Sequence, residues 1–164
     1  MSQGKWAESV ADLVPIEDIL SMSGLDFLMG IVEGRLPMPP IGKSLHYRLH
    51  RVEAGRVTFL GQPNFGAMNP IGTIHGGWFG TLLDSCMACA VQSKLPKGVS
   101  YTTLEYKISI LRPLFSESGP VHAIGETVHV GRRTGTAEGR IVGAENGKVY
   151  AIGTTTCLVM PAAS

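Results

Sequence analysis

Charge is scarce in this sequence of 164 residues: 16% of its residues are charged and the net charge is +1. That balance gives no support to nucleic acid or an acidic membrane surface as a partner. Aromatic residues make up 7% and are not interleaved with a basic stripe, so single-strand nucleic-acid binding lacks its signature. Cysteine is also sparse. Cys86, Cys89 and Cys157 do not make a disulfide framework, which points to a reducing, cytoplasmic compartment. The longest apolar run, around Trp78 to Val91, is too short for a membrane span and carries Asp84. The N-terminus, MSQGKWAESVADLVP, lacks the basic start and apolar core of a signal peptide. No dinucleotide G-x-G-x-x-G, P-loop or G-x-S-x-G elbow is present.

What is abundant is glycine, at 21 residues, which predicts many turns and close backbone approaches. The chain is organised around Asn69 to Gln92. This stretch opens as a turn, passes through His75-Gly76-Gly77 and becomes an apolar helix. A helix apolar all round is normally buried, and Asp84 is its one charged residue. A carboxylate there must be hydrogen-bonded, paired or protonated.

In chain order, Met1 to Val14 are weakly patterned. A short helix is predicted for Ile16 to Met22 after Pro15. Ser23 reads as the N-cap of an amphipathic helix, with Leu25, Leu28, Met29 and Val32 at helical spacing and Gly34 as its stop. Leu36 to Pro40 reads as an extended connector. Strands are predicted for Ser44–Arg51 and Arg56–Gly61 before the helix. Tyr101–Arg112, Pro120–Val130, Thr134–Ala144 and Lys148–Met160 follow it. The first of these four alternates, with Leu104, Tyr106, Ile108 and Ile110 on one face and Thr103, Glu105, Lys107 and Ser109 on the other. Asn146-Gly147 suits a tight primed turn. The order predicts an α+β fold, an antiparallel sheet wrapped around one long helix.

Asp84 is the first candidate for chemistry. On a helix it shares a face with Gly77, Gly80, Thr81 and Ala88, small residues that admit a strand or a substrate. It reads either as a buried carboxylate bonded to strand backbone or as a general base or nucleophile tuned by desolvation. If the helix begins at His75-Gly76-Gly77, the Gly76 and Gly77 amides are donors at its positive end, suited to an oxyanion. The alternative is a glycine-rich turn with a histidine cap. Cys86-x-x-Cys89 falls too far inside the helix for redox chemistry and lacks partners for zinc, so both cysteines read as packing residues. His46 and His50 share one strand face with no nearby carboxylate, so no metal site is expected there. Arg132 and Arg133, in a turn between strands, read equally as a phosphate site and as a solvated tip.

Asn69, His75-Gly76-Gly77, Asp84 in an apolar helix, Thr102-Thr103-Leu104-Glu105 and Leu111-Arg112-Pro113 together resemble the hotdog-fold acyl-CoA thioesterases. The nearest branch is the phenylacetate-pathway (PaaI-like) type of the 4-hydroxybenzoyl-CoA thioesterase superfamily. The resemblance covers roughly residues 41–160, leaving 1–40 as an N-terminal helical extension and 161–164 as a tail. It implies a hotdog fold, a homodimer or homotetramer with active sites between subunits, and hydrolysis of aryl or medium-chain acyl-CoA to free acid and CoA. No cofactor is implied, since CoA is part of the substrate. By motif position it implies Gly76 as the oxyanion donor and Asp84, from the neighbouring subunit, as base or nucleophile. Asn69 would hold the water or the carboxylate, His75 would orient the thioester or the loop, and Thr103 would assist the acid. Arg132 and Arg133, with Gly77, would meet CoA. A non-catalytic acyl-CoA-binding protein on the same scaffold is the alternative.

Overall fold

The computed structural model describes residues 5–161. Of the segment read as weakly patterned, residues 1–4 lie outside the described residues, as do 162–164 of the tail. Val10–Asp12 forms a single tight turn, in which the Asp12 carboxylate accepts the Glu8 and Ser9 amides at 3.0 and 2.9 Å. Two helices follow, α1 (Ile16–Leu20) and α2 (Gly24–Val32). The expected caps of α2 are present. Ser23 Oγ accepts the Asp26 amide at 3.1 Å, and Gly34 stops the chain at a φ of 75°.

The extended connector is shorter than the prolines suggested. Pro40 starts a further helix, α3 (Pro40–Ser44), because proline fits the first helical position. Strand β1 therefore spans Tyr47–Glu53 and not Ser44–Arg51. Strands β2 (Arg56–Gly61), β3 (Val99–Ile110), β4 (Val121–Val130), β5 (Thr134–Gly143) and β6 (Val149–Pro161) lie close to their predicted limits. Asn146-Gly147 is not a two-residue primed turn. Gly147 donates back to Gly143 at 3.0 Å across a wider loop, with only Gly147 at positive φ (66°).

The six strands form one antiparallel sheet in the order β1-β2-β4-β5-β6-β3. Helix α4 (Gly76–Gln92) lies across it. Phe79, Leu82, Leu83, Met87 and Val91 are at most 1% exposed, packed with Val57, Val121, Ile141 and Ala151. Burying each such side chain stabilises the fold by roughly 1.5–3 kcal/mol. Helix and sheet approach closely through a row of mid-strand glycines: Gly125 pairs with Gly139, and Gly139 with Gly153. A Cβ on Gly125 would collide with the Cys86 carbonyl, and one on Gly139 with Met87. These glycines serve close approach rather than turns.

Strand β3 departs from the expected alternation. Its register with β6 shifts between Thr103 and Glu105, a bulge at Leu104. The extra residue reverses the facing of everything after it. Thr103 and Tyr106 thus both reach α4, where the simple alternation put them on opposite faces. Leu104, Tyr106 and Ile110 are 57%, 46% and 45% exposed on β3, one of the two edge strands of the sheet.

Candidate active site

The loop into α4 is tied by its own side chains. Asn69 Oδ1 accepts the amides of Ile71 and Thr73 at 3.1 and 3.2 Å, and its Nδ2 donates to Thr73 Oγ1 at 2.8 Å. The His75 amide then donates to the Ala67 carbonyl at 2.8 Å. His75 is the N-cap: its Nδ1 accepts the Gly77 amide at 2.9 Å. The Gly77 amide, read from sequence as a free donor, is therefore committed to the cap. Gly76 is the first residue of α4, so its amide has no acceptor within the helix. It sits at the positive end of the helix and is half-buried. Trp78 and Phe79 belong to the core, Trp78 donating through Nε1 to the Leu45 carbonyl at 2.9 Å.

Asp84 stands two turns further along. It is half-buried rather than enclosed, and Oδ1 accepts a hydrogen bond from Thr103 Oγ1 at 2.9 Å. The β3 bulge makes this contact possible, since it directs Thr103 at the helix. The carboxylate borders a cavity of about 480 Å³, with Tyr47, Phe59, Ser85, Ala88 and Tyr101 among its walls. Ser85 Oγ lies 3.1 Å from the Tyr47 hydroxyl and donates to the Thr81 carbonyl at 2.8 Å. Burial pushes the Tyr47 phenol upward, with Cys89 and Asp84 adding to it and the Ser85 bond opposing. Tyr47 and Ser85 were not read from sequence as site residues. Their signals were weak: a tyrosine in an alternating strand and a serine beside the lone acid.

The candidate residues fall into separate groups. Asn69, His75, Gly76 and Gly77 gather at the start of α4. Asp84 and Thr103 meet near its middle. Gly76 and Asp84 are eight residues apart on one straight helix, about 12 Å. Arg132 and Arg133 are exposed in the β4–β5 turn, and nearby Gly135 packs against Val91, close to the far end of α4. Among the described residues neither arginine forms an ion pair. Cys86 is buried and burial raises its thiol pKa. Cys89 is pushed up to about 12, chiefly by burial, with the Tyr101 hydrogen bond opposing. Neither suits redox chemistry. Among the described residues no group of three metal-ligating side chains occurs, and no helix is long and apolar enough to cross a membrane.

Residues 71–150 match the family model of the thioesterase superfamily. A protein named as an esterase from Halobacterium salinarum is 38% identical over 73 residues. That match covers 43% of this chain and 46% of the relative, so the chain spans about half the length of the curated relative it matches. A phenylacetic acid degradation-related protein from Ralstonia eutropha superposes with a TM-score of 0.72 at 27% identity, over 80% of this chain and 98% of that one. The phenylacetic acid degradation protein PaaI from Thermus thermophilus, in a mutant form, gives 0.65 at 27% identity, over 73% and 97%. The Escherichia coli PaaI protein gives 0.73 at 21% identity, over 87% and 97%, a likeness of fold. With its six-stranded antiparallel sheet and long central helix, the chain has the hotdog fold of these thioesterases.

Proposed function

We propose that this protein hydrolyses acyl-CoA thioesters to a free acid and CoA. The observation that carries the reading is Asp84, the lone carboxylate of an apolar helix, held by Thr103 at the edge of a cavity. The Gly76 amide donates to the thioester oxygen as negative charge develops there. Asp84 takes a proton from water while the water oxygen bonds to the carbonyl carbon. The tetrahedral oxyanion collapses, the carbon–sulfur bond breaks, and the proton passes to the departing thiolate. Water is the only co-reactant this scheme uses.

Two helix turns separate Gly76 from Asp84, too far for one carbonyl group to meet both. The reading therefore builds each site from two chains, Gly76 of one and Asp84 of the other. The exposed apolar edge of β3 suits such a pairing, with sheets joined edge to edge in a homodimer or a homotetramer. Asn69 and His75 hold the oxyanion loop in shape. Arg132 and Arg133 are assigned to the CoA phosphates; the Gly77 amide, held by the His75 cap, is not free to meet CoA. The cytoplasm is the compartment that fits this substrate and the three free thiols.

Thiol release from a panel of acyl-CoA thioesters, by the parent and by Asp84→Asn, tests the reading. Release by the parent and a fall of about 10²–10⁴-fold in the variant are expected. A folded Asp84→Asn protein with full turnover overturns it.

A further inference from the structure

We propose that the N-terminal extension roofs a blind acyl tunnel, which makes the preferred substrates straight-chain acyl-CoA thioesters of medium length. This rests on the thioesterase reading and names the acyl group it takes. A second cavity, of about 340 Å³, lies behind the one that Asp84 borders. The two share four wall residues, Pro39, Phe59, Cys89 and Tyr101, which stand between them and make the waist of the proposed tunnel. Beyond the waist one wall is the helix and sheet, with Leu49 and Gln92. The other is the extension, with Leu13, Ile19, Phe27, Leu28 and Ile31. No charged side chain lines this inner chamber, and the Gln92 amide oxygen already accepts from the Tyr101 hydroxyl at 3.3 Å. Walls of this kind favour an apolar group over a polar one.

The roof is fastened to the segment that leaves the helix carrying Asp84. The Gly24 amide donates to the Leu95 carbonyl at 3.0 Å, and the Gly98 amide to the Leu20 carbonyl at 2.8 Å. A Cβ on Gly24 would collide with the Gln92 carbonyl, so α2 lies directly on the end of α4. Asp84 to Gln92 therefore measures the tunnel. Eight residues of helix span about 12 Å, the length of an extended chain of roughly ten carbons.

The test is hydrolysis of the straight-chain series from butyryl-CoA to palmitoyl-CoA by the parent, Ile19→Trp and Ile19→Ala. For the parent, kcat/KM rises about fourfold per added methylene until the tunnel is full, then levels near decanoyl. Ile19→Trp moves the optimum to shorter chains and Ile19→Ala to longer ones. A flat profile in the parent, or the same optimum in all three proteins, overturns the tunnel while leaving the thioesterase reading standing. If no thioester is hydrolysed, that reading fails and calorimetric titration with decanoate decides the tunnel. Binding to the parent that is about tenfold weaker in Ile19→Trp supports it; no binding, or equal binding, overturns it.

Discussion

Thr103 and Asp84 illustrate how one hydroxyl settles a carboxylate. The Thr103 Oγ1 bond occupies Oδ1 and leaves Oδ2 available to water. A hydrogen bond to a charged group is worth about 1.5–3 kcal/mol. Thr103→Val is expected to lower kcat by about tenfold or more and to cost about 1.5–3 kcal/mol of stability, measured by thiol release beside urea unfolding. Gly76 offers a cleaner test of the oxyanion donor. It is the first helical residue, where proline is tolerated, and His75 before it already has the extended backbone that proline requires. A Cβ at Gly76 meets only Ile110, at 3.5 Å. Gly76→Pro thus deletes one amide hydrogen and is expected to cost about 10²–10³-fold in kcat, with the circular dichroism spectrum unchanged. The thiols give a pH prediction. Burial pushes the Cys89 thiol up to about 12 from 9.0, so its contribution to stability is complete below pH 9.0 and is lost as pH rises toward 12. Urea unfolding followed across that interval checks the sign.

The glycine row under α4 belongs to the packing of one element on another. Gly125→Ala forces the sheet away from the Cys86 carbonyl, and a loss of about 1–3 kcal/mol in urea unfolding is expected. The limits of α4 were legible because an apolar run is bracketed by His75-Gly76-Gly77 and by Pro96, which cannot continue a helix. Asp84 was legible because a lone charge on an apolar helix needs a partner. The phase of β3 was not, since a bulge adds one residue without a mark, and Leu104 fits either face. The committed Gly77 amide was hidden too, because it depends on which way the His75 ring turns. The inner cavity was the least visible feature. Its walls come from α1, α2, β1, β2, α4 and β3, and no local pattern reports where distant segments stop short of touching.

In the whole molecule, the β3 edge of the sheet exposes the apolar residues to which the two-chain reading assigns a partner. Lysine on an edge strand blocks strand pairing. Leu104→Lys combined with Ile110→Lys is expected to shift the protein to a monomer in sedimentation and to abolish thioester hydrolysis at the same concentration. A monomer that keeps full activity overturns the two-chain site. The spacing of Gly76 and Asp84 on a single helix has a genetic consequence. On the two-chain reading, the variants Gly76→Pro and Asp84→Asn carry their lesions in different halves of a shared site. A chain of one kind paired with a chain of the other places both lesions in one site and leaves the second site whole. Co-expressed at equal levels with random pairing, they regain about a quarter of the parental sites. Complementation between two inactive alleles would thus be the phenotype of a helix two turns too long to serve one site alone.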